Sequence, residues 1–267
     1  MTVDDDVVLR VRELRGRFDG QEHDTLHDVG FDVRSGRITA IVGETGSGKS
    51  LTGLCALGIQ PSSFRVLQGS IDFMGVELLG APGSVMRSIR GRRIAMVFQD
   101  ARTALNPVFT VGAQLAEAYR AHTGASPREA AAEAVSALER VRINDPARRA
   151  KQYPHEFSGG MAQRVMIAMG LICAPELVIL DEPTTGLDVT IQAGIMDLLA
   201  ELAEGGMTAI LITHDLGVVA ETCDDVVVMR EGRVVETGSA KQIFTAARDE
   251  YTIALLEASR AIEDVVA

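Results

Sequence analysis

Tryptophan is absent, and aromatic residues make up only 4% of the 267-residue chain. The core must therefore be built mainly from Val, Ile, Leu, Ala and Met. Cysteine is scarce as well. Cys55, Cys173 and Cys223 are far apart, odd in number and never in a Cys-x-x-Cys spacing. That pattern excludes zinc, iron–sulfur and disulfide frameworks and leaves reduced thiols as the expectation. No apolar run approaches the roughly 18 residues that would span a bilayer. The start, Met1-Thr2-Val3-Asp4-Asp5-Asp6, is acidic and has no apolar stretch, which predicts no signal peptide. Positive charge is in deficit: 26 Lys plus Arg face 37 Asp plus Glu, a net charge of −11. Nucleic-acid binders usually carry a basic face, so no nucleic-acid partner is expected. The local basic clusters, Arg87, Arg90, Arg92 and Arg93, then Arg148, Arg149 and Lys151, read as solvated surface.

What remains is the composition of a folded globular chain, 46% hydrophobic and 24% charged. The length fits one or two domains. The 26 glycines point to loops where backbone must approach something closely. Short β-branched runs at 7–11, 38–42, 94–98, 177–180, 208–213 and 226–229 alternate with longer helical patterns. Several of these runs are continuously apolar, as in strands buried on both faces. The economical fold is α/β with a mainly parallel sheet covered by helices. Residues 110–174 break the rhythm. They show almost no strand signal and much Ala, Leu, Glu and Arg, and Pro127-Arg128-Glu129 begins a helix well. This block reads as a helical insertion between two strands of the α/β core. The last segment, from Tyr251, reads as a C-terminal helix.

Gly43-Glu44-Thr45-Gly46-Ser47-Gly48-Lys49-Ser50 matches G-x-x-x-x-G-K-[ST] at every fixed position, with a strand before it and a helix after it. The glycines let backbone N–H groups turn inward around a polyphosphate, and the helix N-terminus adds a favourable dipole. Lys49 supplies a point charge to the β- and γ-phosphates, and the Ser50 hydroxyl can ligate Mg²⁺. Leu177-Val178-Ile179-Leu180 is an apolar strand that ends in Asp181 and Glu182. Ligands bind beyond strand C-termini in open α/β sheets, so Asp181 is placed to hold Mg²⁺ through water. Glu182 can polarise an attacking water. Alone, such a pair would read as a solvated strand cap. Phe157-Ser158-Gly159-Gly160-Met161 opens a further helix with free N–H donors and a hydroxyl. By itself it would read as a simple N-cap.

Together these elements resemble the ABC-transporter ATPases over nearly the whole chain. The order is that of the family: the Walker A loop at 43–50, the Q-loop at Gln99, the signature at 157–161 and Walker B at 177–181. Glu182 matches the catalytic glutamate, Thr185-Gly186-Leu187-Asp188 the D-loop and His214 the switch histidine. The segment from Gln99 to Pro107, and Tyr153-Pro154-His155-Glu156 before the signature, resemble the peptide/nickel importer branch. That branch serves dipeptides, oligopeptides, nickel and metal-opines. Phe157 and Met161 stand where the wider family has Leu and Gln. The chain also lacks the C-terminal cysteine cluster of many oligopeptide ATPases, which favours a short, nickel- or opine-like type.

The resemblance implies a P-loop NTPase core with a helical subdomain inserted between two strands. It implies one ABC ATPase domain over 1–267, with a nucleotide-binding core at 1–100 and 175–250. A helical signature subdomain falls at 101–174 and a C-terminal helix at 251–267. ATP and Mg²⁺ are the expected cofactors, with Ser50, Gln99 and Asp181 toward the metal. Glu182, Gln99 and His214 are the expected catalytic set. Residues 43–50 and Asp188 would bind nucleotide, while Ser158, Gly159 and Gly160 would act on ATP held by a partner. Phe18, after the first strand, is where the family places an adenine-stacking aromatic; a buried core phenylalanine is its other reading. The implied partners are a second, non-identical ATPase in a heterodimer, two integral-membrane permeases and an external solute-binding protein. The implied location is the cytoplasmic face of the cell membrane, as a peripheral subunit. The alternative is a soluble ABC ATPase acting on ribosomes or DNA. A single cassette without heptads disfavours it, and intact Glu182 and His214 disfavour a non-hydrolysing sensor.

Overall fold

A computed structural model describes residues 6–266, apart from the side chains of Arg102, Val189 and residues 260–266. The acidic start at 1–5 and the last residue of the expected C-terminal helix, Ala267, lie outside the described residues. The chain begins with β1 (Val7–Phe18), β2 (Leu26–Arg34), β3 (Ile38–Val42), α1 (Lys49–Leu57), β4 (Phe64–Phe73), β5 (Val76–Glu77) and α2 (Gly83–Ile89). Then come β6 (Ile94–Val97), α3 (Ala101–Ala104), α4 (Val111–Thr123), α5 (Pro127–Arg140), α6 (Pro146–Arg149) and α7 (Gly159–Leu171). β7 (Leu177–Asp181), α8 (Val189–Glu204), β8 (Ala209–Ile212) and α9 (Leu216–Thr222) follow. β9 (Asp225–Arg230), β10 (Arg233–Ser239), α10 (Ala240–Ala246) and α11 (Glu250–Val266) complete the chain. Two compact units form, residues 1–86 with 203–267, and residues 87–202.

In the first unit β3 runs parallel to β8 on one side and to β9 on the other. All five β3 residues are buried, which is why Ile38-Thr39-Ala40-Ile41-Val42 is a continuous run and does not alternate. β10 adds to β9 as an antiparallel hairpin arm. The C-terminal helix predicted from Tyr251 is α11, and Tyr251 and Leu256 join a cluster with Val219, Val226, Val228 and Ile243.

The same unit holds a four-stranded antiparallel sheet, in the order β2-β1-β4-β5, that the strand reading above does not contain. The expected strand at 7–11 belongs to it and continues to Phe18. The physical reason is a bulge. Leu9 and Val11 are buried, the register shifts between Val11 and Leu14, and burial resumes at Leu14 and Gly16. Glu13 takes a positive φ of 48° at the shift. One inserted residue turns the period-2 pattern over, so the strand loses its signature midway. β2 does the same at Asp28, with φ 53°. The expectation of a mainly parallel sheet thus describes the strands around β3 and the β6–β7 pair, and an antiparallel sheet must be added to it.

In the second unit β6 and β7 pair in parallel, Val97 opposite Leu180. No strand interrupts residues 101–174, and the helices α3 to α7 fill them. Pro127 opens α5 as expected. Ser126 caps it by accepting the Glu129 N–H at 3.3 Å, and the Glu129 carboxylate accepts the Ser126 N–H at 2.9 Å. By packing, residues 87–100 and 175–202 group with these helices.

Candidate functional site

The phosphate-loop sequence folds into a turn that closes on its own lysine. Lys49 is buried at the start of α1, and its ammonium donates to the carbonyl oxygens of Gly43 at 2.7 Å and Glu44 at 2.8 Å. The Ser47 N–H donates to the Glu44 oxygen at 3.2 Å. Gly43 is required here: φ is 144°, and a Cβ would lie 1.9 Å from the Met229 oxygen. Gly48 stands at the N-cap of α1 in the left-handed region and offers no side-chain cap. The first N–H groups of the helix therefore lack an acceptor from the capping residue. Glu44, Thr45 and Gly46 are exposed, whereas the Ser47 hydroxyl oxygen is buried without a hydrogen-bond partner. Ser50 lies one residue into the helix, half-buried.

Further groups of the first unit surround the loop. Glu231 and Gly232, both at positive φ, make the tip of the β9–β10 hairpin, and the Gly232 N–H donates to the Ser47 oxygen at 3.1 Å. The Glu44 N–H donates to the Tyr251 hydroxyl of α11 at 3.1 Å. His214 is exposed beyond β8, whose parallel pairing with β3 puts both strand C-termini on one edge. Asp215 beside it caps α9, accepting the Val218 N–H at 3.1 Å. Phe18 is the last residue of β1 and does not follow it; half-buried, its ring meets Phe64 edge to face at 5.1 Å.

In the second unit the parallel pairing of β6 and β7 gathers the predicted acidic group. Asp181, 9% exposed, ends β7, and Glu182 follows with a strained φ of 44°. Gln99 Nε2 donates to Glu182 Oε2 at 2.9 Å, and the Thr185 hydroxyl donates to the same oxygen at 2.8 Å. Two donors on one oxygen fix the plane of the carboxylate. Asp188 is exposed and caps α8, with Oδ1 accepting the Ile191 N–H at 3.0 Å. Ser158 is exposed at the N-cap of α7 and accepts the Met161 N–H at 3.4 Å. Gly159 is half-buried and Gly160 buried, because a Cβ at Gly160 would come within 2.2 Å of Ile191 on α8. Arg164 further binds α7 to its neighbours, donating to the Val141 oxygen at 3.0 Å and the Gly194 oxygen at 2.8 Å.

The sequence pattern gives no sign of Tyr251 or Gly232 in these constellations; Thr185 it marks as part of the 185–188 segment, but not as a hydrogen-bond donor to Glu182. In the first unit a buried ammonium, a helix whose capping glycine has no side chain, and a serine hydroxyl without a hydrogen-bond partner suit a polyphosphate; in the second, the Asp181 and Glu182 carboxylates are the oxygen type that a hard cation takes. Among the described residues, no helix is long and apolar enough to cross a membrane.

The family model described as "ABC transporter" matches residues 26–185. The "Probable peptide ABC transporter ATP-binding protein y4tR" of Sinorhizobium fredii is 51% identical over 94% of this chain and 76% of its own length. The oligopeptide transport ATP-binding protein OppD of Salmonella typhimurium is 48% identical over 94% of this chain and 76% of its own. Among solved structures, the dimeric post-hydrolysis state of the ATP-binding cassette MJ0796, bound to ADP and Pi, superimposes with a TM-score of 0.76. It is 25% identical and covers 87% of this chain and 98% of that one.

Proposed function

The chain belongs to the ABC transporter family, and from that premise we propose that it is the ATP-binding and ATP-hydrolysing subunit of an importer for peptides. Its similarity to peptide and oligopeptide transport subunits supports a peptide cargo ahead of nickel or a metal chelate. It also disfavours the ribosome- or DNA-acting alternative. The observation that carries the reading is the loop at 43–50, closed on Lys49 in front of a helix whose capping glycine has no side chain.

The roles follow from the chemistry of each group. Lys49 and the loop amides take the β- and γ-phosphates, and Ser50 hydroxyl, Asp181 and Gln99 are the oxygen donors toward Mg²⁺. When bound, that ion neutralises phosphate charge. Glu182, its plane set by Gln99 and Thr185, accepts the proton of the attacking water. The water oxygen bonds to the γ-phosphorus as the bond to the ADP oxygen breaks, leaving ADP and inorganic phosphate. His214 contacts the γ-phosphate, and Phe18 stacks on adenine.

Ser158, Gly159, Gly160 and Asp188 act on the ATP of a second, non-identical ATPase arranged head to tail with this one. ATP then holds the pair together and hydrolysis releases it. Two permeases and an external binding protein complete the importer, with this subunit peripheral on the cytoplasmic face of the membrane. The test is co-expression with candidate permeases and the second ATPase, followed by reconstitution. Turnover stimulated by peptide-loaded binding protein is expected; full turnover from the dilute single chain, indifferent to them, would overturn the reading.

A further inference from the structure

One peptide plane of the phosphate loop is held from both ends. The carbonyl of the Gly43–Glu44 peptide accepts from the Lys49 ammonium at 2.7 Å, and the N–H of that same peptide donates to the Tyr251 hydroxyl at 3.1 Å. Because the peptide is planar, its two ends cannot turn independently. We propose that Tyr251 is a positioning residue for nucleotide binding: through the Gly43–Glu44 peptide its hydroxyl sets the orientation of the carbonyl that tethers Lys49. The inference rests on the reading of residues 43–50 as the ATP-phosphate site and deepens it.

The surroundings give the tyrosine a fixed place. Tyr251 is 9% exposed in the first turn of α11, and the Arg230 guanidinium lies over its ring at 5.0 Å. Arg230 ends β9, one residue after Met229, whose carbonyl bars any side chain at position 43. Two neighbouring residues of one strand thus border this part of the loop, Met229 beside Gly43 and Arg230 against the tyrosine ring. The charge of Lys49 polarises the peptide, which makes its N–H a better donor to the phenol. Burial pushes the phenol pKa up, so the hydroxyl stays neutral at physiological pH. Without that acceptor the N–H of Glu44 loses its partner, and the plane is free to rotate its carbonyl away from Lys49. The glycine at 43 adds freedom to that rotation, since no Cβ restrains it.

The experiment is titration of MgATP and MgADP into the wild-type chain, Tyr251→Phe and Lys49→Ala, with melting temperature and amide exchange at Glu44 measured on each. Tyr251→Phe keeps the ring against Arg230 and removes only the acceptor. The expected result is affinity for both nucleotides about fivefold weaker, with an unchanged nucleotide-free melting temperature and faster exchange at Glu44. In the assembled importer the KM for MgATP rises while kcat holds. 4-Fluorophenylalanine at 251, a much weaker acceptor of nearly the same shape that does not titrate, gives a loss in the same direction and serves if the phenylalanine variant does not fold. Unchanged affinity in Tyr251→Phe beside weakened binding in Lys49→Ala would overturn this inference alone. A lowered melting temperature with Glu44 exchange unaltered would also overturn it, because the tyrosine would then only pack. Unchanged affinity in Lys49→Ala would overturn the phosphate-site reading and the inference together.

Discussion

The two units solve different problems with different parts of the chain. In the first, the candidate phosphate site is made of main chain: Lys49 is held by the Gly43 and Glu44 carbonyls, and the hairpin tip by the Ser47 carbonyl. In the second, the candidate reactive group is made of side chains: Gln99 and Thr185 both donate to one oxygen of Glu182. The two helix N-termini differ in the same sense. α1 has Gly48 at its cap and no side-chain acceptor, whereas α7 supplies its own in Ser158. A helix whose capping residue has no side chain leaves room at its N-terminus for an anion from outside. A helix that caps itself is stable before any partner arrives. Binding built on backbone should fail when a glycine is changed; chemistry built on side chains should fail on an isosteric swap that leaves the fold intact.

Glu182→Gln carries the largest expected effect. The amide keeps the shape of the carboxylate but cannot take a proton, so turnover in the assembled complex should fall by about 10²–10⁴-fold. MgATP affinity should hold, and phosphate release measured beside nucleotide titration separates the two. Lys49→Ala is the mirror case, with tight MgATP binding lost, on the order of 10²-fold by removal of charged hydrogen bonds. Parental affinity in that variant would break the contrast between the units.

Gly43→Ala tests the backbone half without touching a functional side chain. Its Cβ would collide with the Met229 oxygen at a φ that L-residues avoid. A loss of roughly 1–3 kcal/mol in unfolding free energy is expected, together with weakened nucleotide binding. An alanine variant with parental stability and affinity would mean that the loop is not held as described. Ser158→Ala has the smallest effect on the isolated chain, about 1 kcal/mol from the lost cap. It should leave ATP binding by the chain's own loop unaltered while lowering turnover in the complex. Turnover of the Ser158→Ala complex equal to that of the parent would remove Ser158 from the shared site.

Much of this was legible before any coordinates. The 38–42 run, the loop glycines and Lys49 are contiguous, so a local pattern marks the candidate phosphate loop itself. The 177–180 run with Asp181 and Glu182 is contiguous as well. The antiparallel sheet was not legible, because bulges at Glu13 and Asp28 reverse the alternation that marks a strand. β4 hides for another reason: its middle residues, from Leu67 to Gly69, are exposed, and only Phe64, Ile71 and Phe73 are buried. The β-branched run marks the first strand only to Val11, whereas the strand continues to Phe18 as its last residue.

The sequence by itself determined the kind of chemistry, since phosphate binding and proton abstraction need particular residues at short spacings that local geometry then realises. Only the tertiary structure decided who holds those residues in place. Tyr251 stands 207 positions from Glu44, and Gly232 reaches Ser47 from the far end of a hairpin. Gln99 meets Glu182 across 83 positions because β6 and β7 pair in parallel. Such contacts have no local pattern; they exist because burying β3 between β8 and β9, and pairing β6 with β7, brings strand ends together that the chain keeps far apart.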